Sequence, residues 1–426
     1  MTRHSLAFSI VIALCSAAAF PQVPIGTSEN LNANLNDSLN QRLQKSAEGA
    51  RWLWGTLRVE PAFGLRNVRL VDDVEIDSDA ALAGAETSSD VTIGTFAGLH
   101  LYQLFGESSS AAFFVRPQYD HWVDLEERSR LNMNFGAALA VETNRFFLDL
   151  EGVRSEGQGI VTNEAEQIIN NRRDRLGIRL GVPIYRSIAL VGTYSHTESE
   201  NLLDESPSET VPNFGRLDET IGSGAVGFQV EPGRVTRLFL GYRKLEADAA
   251  RTLRNYEAEG PTALIQIDAG VLSLRALVDQ LEYVPDGTTS SFEATDITSG
   301  RLDLILDGAG PHFLRLTSQR SLTPSVRSSF TDFETDSSEL RWQFRATDRV
   351  QPFVGFQLIE RDYRSAERRR DEQETLLAGA SYTVGKLRLS VQYQRSEIDS
   401  TVDLFDRDTQ RLGLSFAFAL PGLSWP

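Results

Sequence analysis

The sequence predicts an all-β chain, a transmembrane antiparallel β-barrel of the outer membrane with about 18 strands, and three observations carry that prediction. Hydrophobicity alternates with period two from Leu57 almost to the end, tight and long connections alternate along the chain, and an export signal opens it. Period two sends successive side chains to opposite faces of a strand. Short turns on one side, longer loops on the other and an even strand number are the habit of outer-membrane barrels. A soluble sandwich shares the alternation, but its strands are shorter and its loops irregular.

The opening MTRHSLAFSIVIALCSAAAF has a basic start at Arg3 and His4, an apolar run from Leu6 to Leu14, and small residues at Ala17, Ala18 and Ala19. That order is a secretory signal, assigned to residues 1–19. Bulky Leu14 before Cys15 disfavours a lipid anchor, and cleavage removes the one cysteine, so the mature chain has neither disulfide nor thiol chemistry. Residues 20–54 form a polar leader in which Leu31, Leu35, Leu39 and Leu43 recur at spacing four. This stripe suits a short helix, either periplasmic or set in the lumen as a small plug, and the frequent asparagines equally suit an unstructured leader.

The barrel occupies residues 55–426. Strands are expected near 57–67, 90–104, 110–121, 130–141, 145–154, 173–183, 187–197, 216–230, 234–245, 256–268, 271–283, 293–306, 312–321, 331–345, 350–362, 371–383, 386–396 and 404–419. Leu176, Ile178, Leu180 and Val182 against Arg175, Gly177, Arg179 and Gly181 show the pattern, as do Leu387, Leu389, Val391 and Tyr393 near the end. Tight turns fall at 104–108, 142–144, 183–186, 231–233, 269–270, 307–310, 346–348 and 385–386. Longer polar stretches stand between them, including 161–171, 201–213 and the acidic Arg66 to Asp90, a candidate lid. An even strand count puts both termini on the periplasmic side. Closure is physically required, because an open edge in hydrocarbon would leave backbone groups unpaired at several kcal/mol apiece.

Tyr102, Phe113, Tyr119, Phe146, Tyr194, Tyr242, Trp342, Phe356, Tyr393, Phe416 and Phe418 share the apolar parity, as rings facing lipid and its headgroups should. The opposite parity carries Arg58, Arg116, Arg175, Arg179, Arg237, Arg243, Arg275, Arg301, Arg315, Arg341, Arg345, Arg388 and Arg411. Acids on that parity are fewer: Glu60, Asp149, Glu151, Asp279 and Asp303. Some of these arginines fill space and pair across the wall; the rest predict a lumen that concentrates anions, since guanidinium forks match carboxylate and phosphate. The remaining acids are expected in loops, at Asp72, Asp73, Glu75, Asp77, Asp79, Asp204, Glu205, Asp403, Asp406 and Asp408. There they form a solvated surface or bridge through divalent cations to lipopolysaccharide.

A net charge of −17 argues against nucleic acid as partner, and five histidines without a mature cysteine leave no basis for a metal cluster or other cofactor. An enzyme would need a nucleophile, a base and an orienting group. His196 beside serines in TYSHTES is the one arrangement to weigh, and neither GxSxG nor HExxH occurs. No catalytic residue is assigned.

The stretches LRVEPAFGLRNVRLVDD, SSDVTIGTFAGLHL, FFVRPQYDHWVD, RRDRLGIRLGVPI and RSIALVGTYSHTES resemble the β-barrel porin family encoded beside exopolysaccharide and capsule biosynthesis genes. The resemblance spans almost all of the chain from about residue 55. It implies an eighteen-strand pore that exports a polysaccharide to the cell surface with the help of a periplasmic export protein. The arginine parity is compatible with an acidic polymer as cargo. The alternative reading is a general or anion-selective diffusion porin for small solutes, seated among outer-membrane lipid and lipopolysaccharide.

Overall fold

The computed structural model describes residues 38–50, 52–75, 87–124, 126, 129–160, 168–202, 218–233, 235–249, 255–285, 294–307, 310–324, 332–363, 369–384, 387–401 and 407–419. The signal at 1–19, with Leu31 and Leu35 of the leucine stripe, lies outside them. One helix, α1 (Leu39–Gly49), and a three-residue strand, β1 (Trp52–Trp54), precede the sheet. The strands are β2 (Leu57–Glu75), β3 (Thr87–Leu104), β4 (Ser109–Trp122), β5 (Arg130–Glu142), β6 (Phe147–Ile160) and β7 (Ile168–Tyr185). Then come β8 (Ile188–Leu202), β9 (Glu219–Val230), β10 (Thr236–Ala249), β11 (Tyr256–Asp268), β12 (Leu272–Pro285) and β13 (Thr295–Asp307). The last six are β14 (His312–Pro324), β15 (Asp332–Phe344), β16 (Val350–Tyr363), β17 (Arg370–Val384), β18 (Leu387–Ser400) and β19 (Arg407–Ala419).

From β2 to β19 each strand is antiparallel to the next, and β19 pairs back onto β2 through Phe418↔Leu65 and Ala419↔Gly64. The pairing therefore runs full circle, with its thinnest ladder at that seam. Beside it, β1 pairs with the start of β2 through a hairpin whose Gly55, at φ 66°, adopts the left-handed backbone that glycine alone takes without strain. Following paired residues once around the ring gives a stagger of about 24 residues. With ~3.3 Å per residue and ~4.8 Å between strands, that stagger tilts the strands about 43°, inside the usual barrel range.

Every strand predicted from periodicity is present. The short connections, such as 186–187 and 269–271, alternate with longer ones, such as 76–86 and 286–294. The main difference lies at the long-connection end. There β2 continues to Glu75 and β3 begins at Thr87, so most of the expected lid from Arg66 to Asp90 is paired strand. Asp72, Asp73 and Glu75 consequently stand in β2 rather than in a loop, and Asp408 stands in β19. In the same way β7 starts at Ile168 and β8 runs to Leu202, which shortens the expected loops 161–171 and 201–213. The expectation ended each strand where its apolar face ended. Backbone pairing needs only a partner strand, and it continues past the apolar band. Asp77, Asp79, Asp204, Glu205, Asp403 and Asp406 lie outside the described residues.

The two faces of the sheet are inverted relative to a soluble protein. Leu340, Trp342, Val354, Phe356, Leu376 and Tyr393 are exposed, whereas Arg243, Asp279, Gln343, Gln351, Asp371 and Gln373 are buried. The concave face of a closed ring crowds its side chains and the convex face splays them, so the polar set points inward and the apolar set outward. From Val350 to Leu358 on β16 the outward face is apolar over about 19 Å at that tilt, approaching the apolar band of outer-membrane barrels. Among the described residues no helix is long and apolar enough to cross a membrane.

Candidate functional site

The inner wall is built by parity, because in-register neighbours on adjacent strands share a face. Arg275 stands opposite Asp303, Arg301 opposite Gln319, Arg315 opposite Arg341, and Arg237 opposite Gln266. Arg116 faces Asn134 across β4 and β5. Arg388 and Arg411 are in register with Thr383 and Gln394, and their side chains lie outside the described ones.

Many inner arginines are neutralised locally. Arg179 lies 3.6 Å from Asp149, Arg237 3.1 Å from Glu231, and Arg345 2.8 Å from Asp307. Asp303 takes Arg301 at 2.7 Å and Arg315 at 3.4 Å. Arg243 is 2.7 Å from Asp279, with both side chains almost completely buried. The acids are more numerous than parity counting from the predicted strands found. Asp120 accepts from Gln118 and Asn132, Asp268 from Gln266 and Ser273, and Asp371 pairs with Arg369. The cationic surplus is correspondingly smaller than expected. Asp307 and Glu231 escaped because they sit at strand ends, and Asp371 because its strand begins with a charged pair.

Buried Nε atoms of Arg173 and Arg175, and Nε with Nη2 of Arg275, have no hydrogen-bond partner. Two arginines, one of them the Asp149-paired Arg179, lie over aromatic rings: Arg179 4.8 Å from the centroid of Phe147, and Arg341 4.4 Å from that of Phe353. Each ring lies across a glycine of the neighbouring strand, Phe147 over Gly181 and Phe353 over Gly379, where an added Cβ would strike the ring. These two phenylalanines are on the polar parity and were missed from sequence; the signal was a Phe in register with a Gly beside an inward Arg.

Tyr102 is also inward, contrary to its expected parity. It pairs with Arg58 and Ala112 and is buried against α1. The helix lies on the inner face of β3, β4 and β5, where Leu39 and Leu43 pack on Ala112, Ala138 and Ala140. Arg58 donates to the Ala47 carbonyl at 3.1 Å. Between the helix and the wall of β6 to β11 is a cavity with two chemistries. Its lining combines Arg42, Arg175, Arg179 and the carboxylates Asp149 and Glu151 with the apolar Val191, Ala225, Phe239 and Leu264.

The serine–histidine arrangement is not assembled: Ser195 is buried on the inner face and the next residue, His196, belongs to the outer one. Among the described residues no group of histidine, cysteine and carboxylate could hold a metal ion.

No family model and no curated protein matches this chain. Among solved structures, OpdO of Pseudomonas aeruginosa is similar over 85% of this chain and 97% of its own, at 15% identity and TM-score 0.49. A BenF-like porin from Pseudomonas fluorescens Pf-5 is similar over 85% and 99%, at 13% identity and TM-score 0.49. OccAB3 of Acinetobacter baumannii is similar over 85% and 99%, at 12% identity and TM-score 0.47.

Proposed function

We propose that this chain is a bacterial outer-membrane diffusion pore for small organic anions, with its short turns and both termini in the periplasm. The observation that carries the reading is the lumen cavity lined by Arg175 and Arg179 of β7 together with the apolar Val191, Ala225, Phe239 and Leu264 of the strands that follow. Guanidinium groups recognise a carboxylate, and the apolar residues beside them accommodate an apolar body. The thirteen arginines of the polar parity act here as the lining, with the carboxylates beside them keeping each site weak enough to release what it binds. The apolar convex face meets lipid, and its charged outer rim meets lipopolysaccharide.

Polysaccharide export, and with it a periplasmic export partner, is the weaker reading. A polymer needs an unobstructed channel, and α1 lies across the inner wall at the short-turn mouth.

Planar-bilayer recordings at low salt test the proposal. The purified protein should favour anions, and the bias should fade as salt screens the wall. Replacing Arg175 and Arg179 by glutamine should lower the anion preference and abolish competition by small aromatic carboxylates. A cation-selective wild-type pore would overturn the reading. Deletion of the gene should leave surface polysaccharide unchanged and slow the uptake of small organic anions; loss of surface polysaccharide would instead establish export.

A further inference from the structure

α1 has 11 residues, about 16 Å of helix, too short to be stable alone in water. Its existence therefore depends on where it is seated. Ser38 caps it by accepting from the Gln41 amide at 3.2 Å and also donates to Glu142 Oε2 at 2.9 Å, at the end of β5. Asn40 donates to the Glu107 carbonyl at 2.9 Å and accepts from buried Ser110 Oγ at 2.8 Å. Gln44 donates to the same carbonyl at 2.7 Å. Arg58 of β2 holds the Ala47 carbonyl at the helix C-terminus. The buried stripe Leu39, Leu43 and Ala47 meets a wall of alanines that leaves room for a helix backbone. The contacts progress from β2 at the helix C-terminus to β5 at its N-terminus, so the helix runs crosswise over several strands.

All these anchors lie beside the short connections 105–108 and 143–146. A ring of 18 strands tilted about 43° is roughly 118 Å around, or about 38 Å across between backbones if circular. Side chains on both walls leave roughly 25 Å, and a helix of about 10 Å diameter on one wall removes a large part of that opening.

We propose that α1 is a resident constriction of the pore: seated across the periplasmic mouth, it sets the largest solute that passes and places Arg42, beside Asp149, on the permeation path. The inference rests on the pore reading but not on anion preference, so the two fail separately. The experiment compares single-channel conductance and exclusion of graded polyethylene glycols for the full chain and for a chain lacking residues 38–49. Removal should raise conductance about twofold and admit larger polymers, with the anion bias reduced but of the same sign. Unchanged conductance and exclusion would overturn the proposal. Should the shortened chain fail to assemble, the double variant Leu39→Asp and Leu43→Asp leaves every strand intact and sets two carboxylates against Ala138 and Ala140. It should open the pore equally, and a wild-type exclusion limit in an assembled variant would overturn the proposal just as directly.

Discussion

The two ends of the barrel wear the same alternation in opposite senses on their outer face. Near the short turns the convex face carries Leu340, Trp342, Val354, Phe356, Tyr382 and Leu389. A few residues further along the same strands, it carries Glu334, Asp336, Glu360, Asp362, Arg370, Glu372, Arg395 and Glu397. These charges pair with each other: Arg320 lies 2.7 Å from Glu334, Arg370 2.6 Å from Glu360, and Lys244 2.9 Å from Glu257. The inner face at this end is partly apolar, with Leu245, Tyr256, Leu281 and Tyr283 in one cluster and the Phe333–Tyr363 pair 4.8 Å apart. A strand thus leaves the lipid without ending. Where water and headgroups replace hydrocarbon, the outer face can bear charge and the inner face can bury apolar groups as a soluble protein does.

The largest expected effect lies at an inner ion pair whose side chains are almost completely buried. Asp279→Ala strands the guanidinium of Arg243, whose other partner is the Ser223 hydroxyl at 3.0 Å. It should cost about 3–5 kcal/mol in urea unfolding of the refolded barrel. A loss below 1 kcal/mol would mean that water enters this site and that the interior is more open than its burial indicates.

Next comes the lipid-facing band. Leu340→Arg should cost about 2–4 kcal/mol, as a charge near the bilayer midplane does. Asp336→Lys, on the same face of the same strand, should cost no more than about 1 kcal/mol. Equal costs for the two would erase the boundary drawn between the regions.

Gly379→Val brings a side chain against Val391 and the ring of Phe353. About 1–3 kcal/mol of destabilisation is expected, together with weaker anion preference as Arg341 loses its support. Unaltered selectivity in the assembled variant would separate Arg341 from the permeation path. The smallest effect belongs to the outer rim: Arg320→Ala, in an exposed pair with Glu334, should change stability by at most about 1 kcal/mol, and less still in high salt.

Much of the wall was legible beforehand because period two is a local property. Trp342 and Arg341 had to face opposite ways in any strand, and tight turns such as Ala269–Gly270, with Gly270 at φ 73°, mark strand ends by their backbone needs. Tyr102 was misplaced because its ring suits either face; its register opposite Arg58 and its burial show that this aromatic is interior. The overestimate of free arginines has a similar origin. Pairing with Asp307, Glu231 or Asp371 depends on which strand ends come together, and parity says nothing of that.

Sequence by itself determined the strand count, the order of turns and which parity is apolar, since each follows from neighbours within a few residues. Tertiary structure decided the ring closure at Leu65 and Phe418, the setting of Phe147 and Phe353 under their arginines, and the seat of α1 among Ala112, Ala138 and Ala140. Those features join residues far apart in the chain, and their free energy exists only once the register around the whole ring has been set.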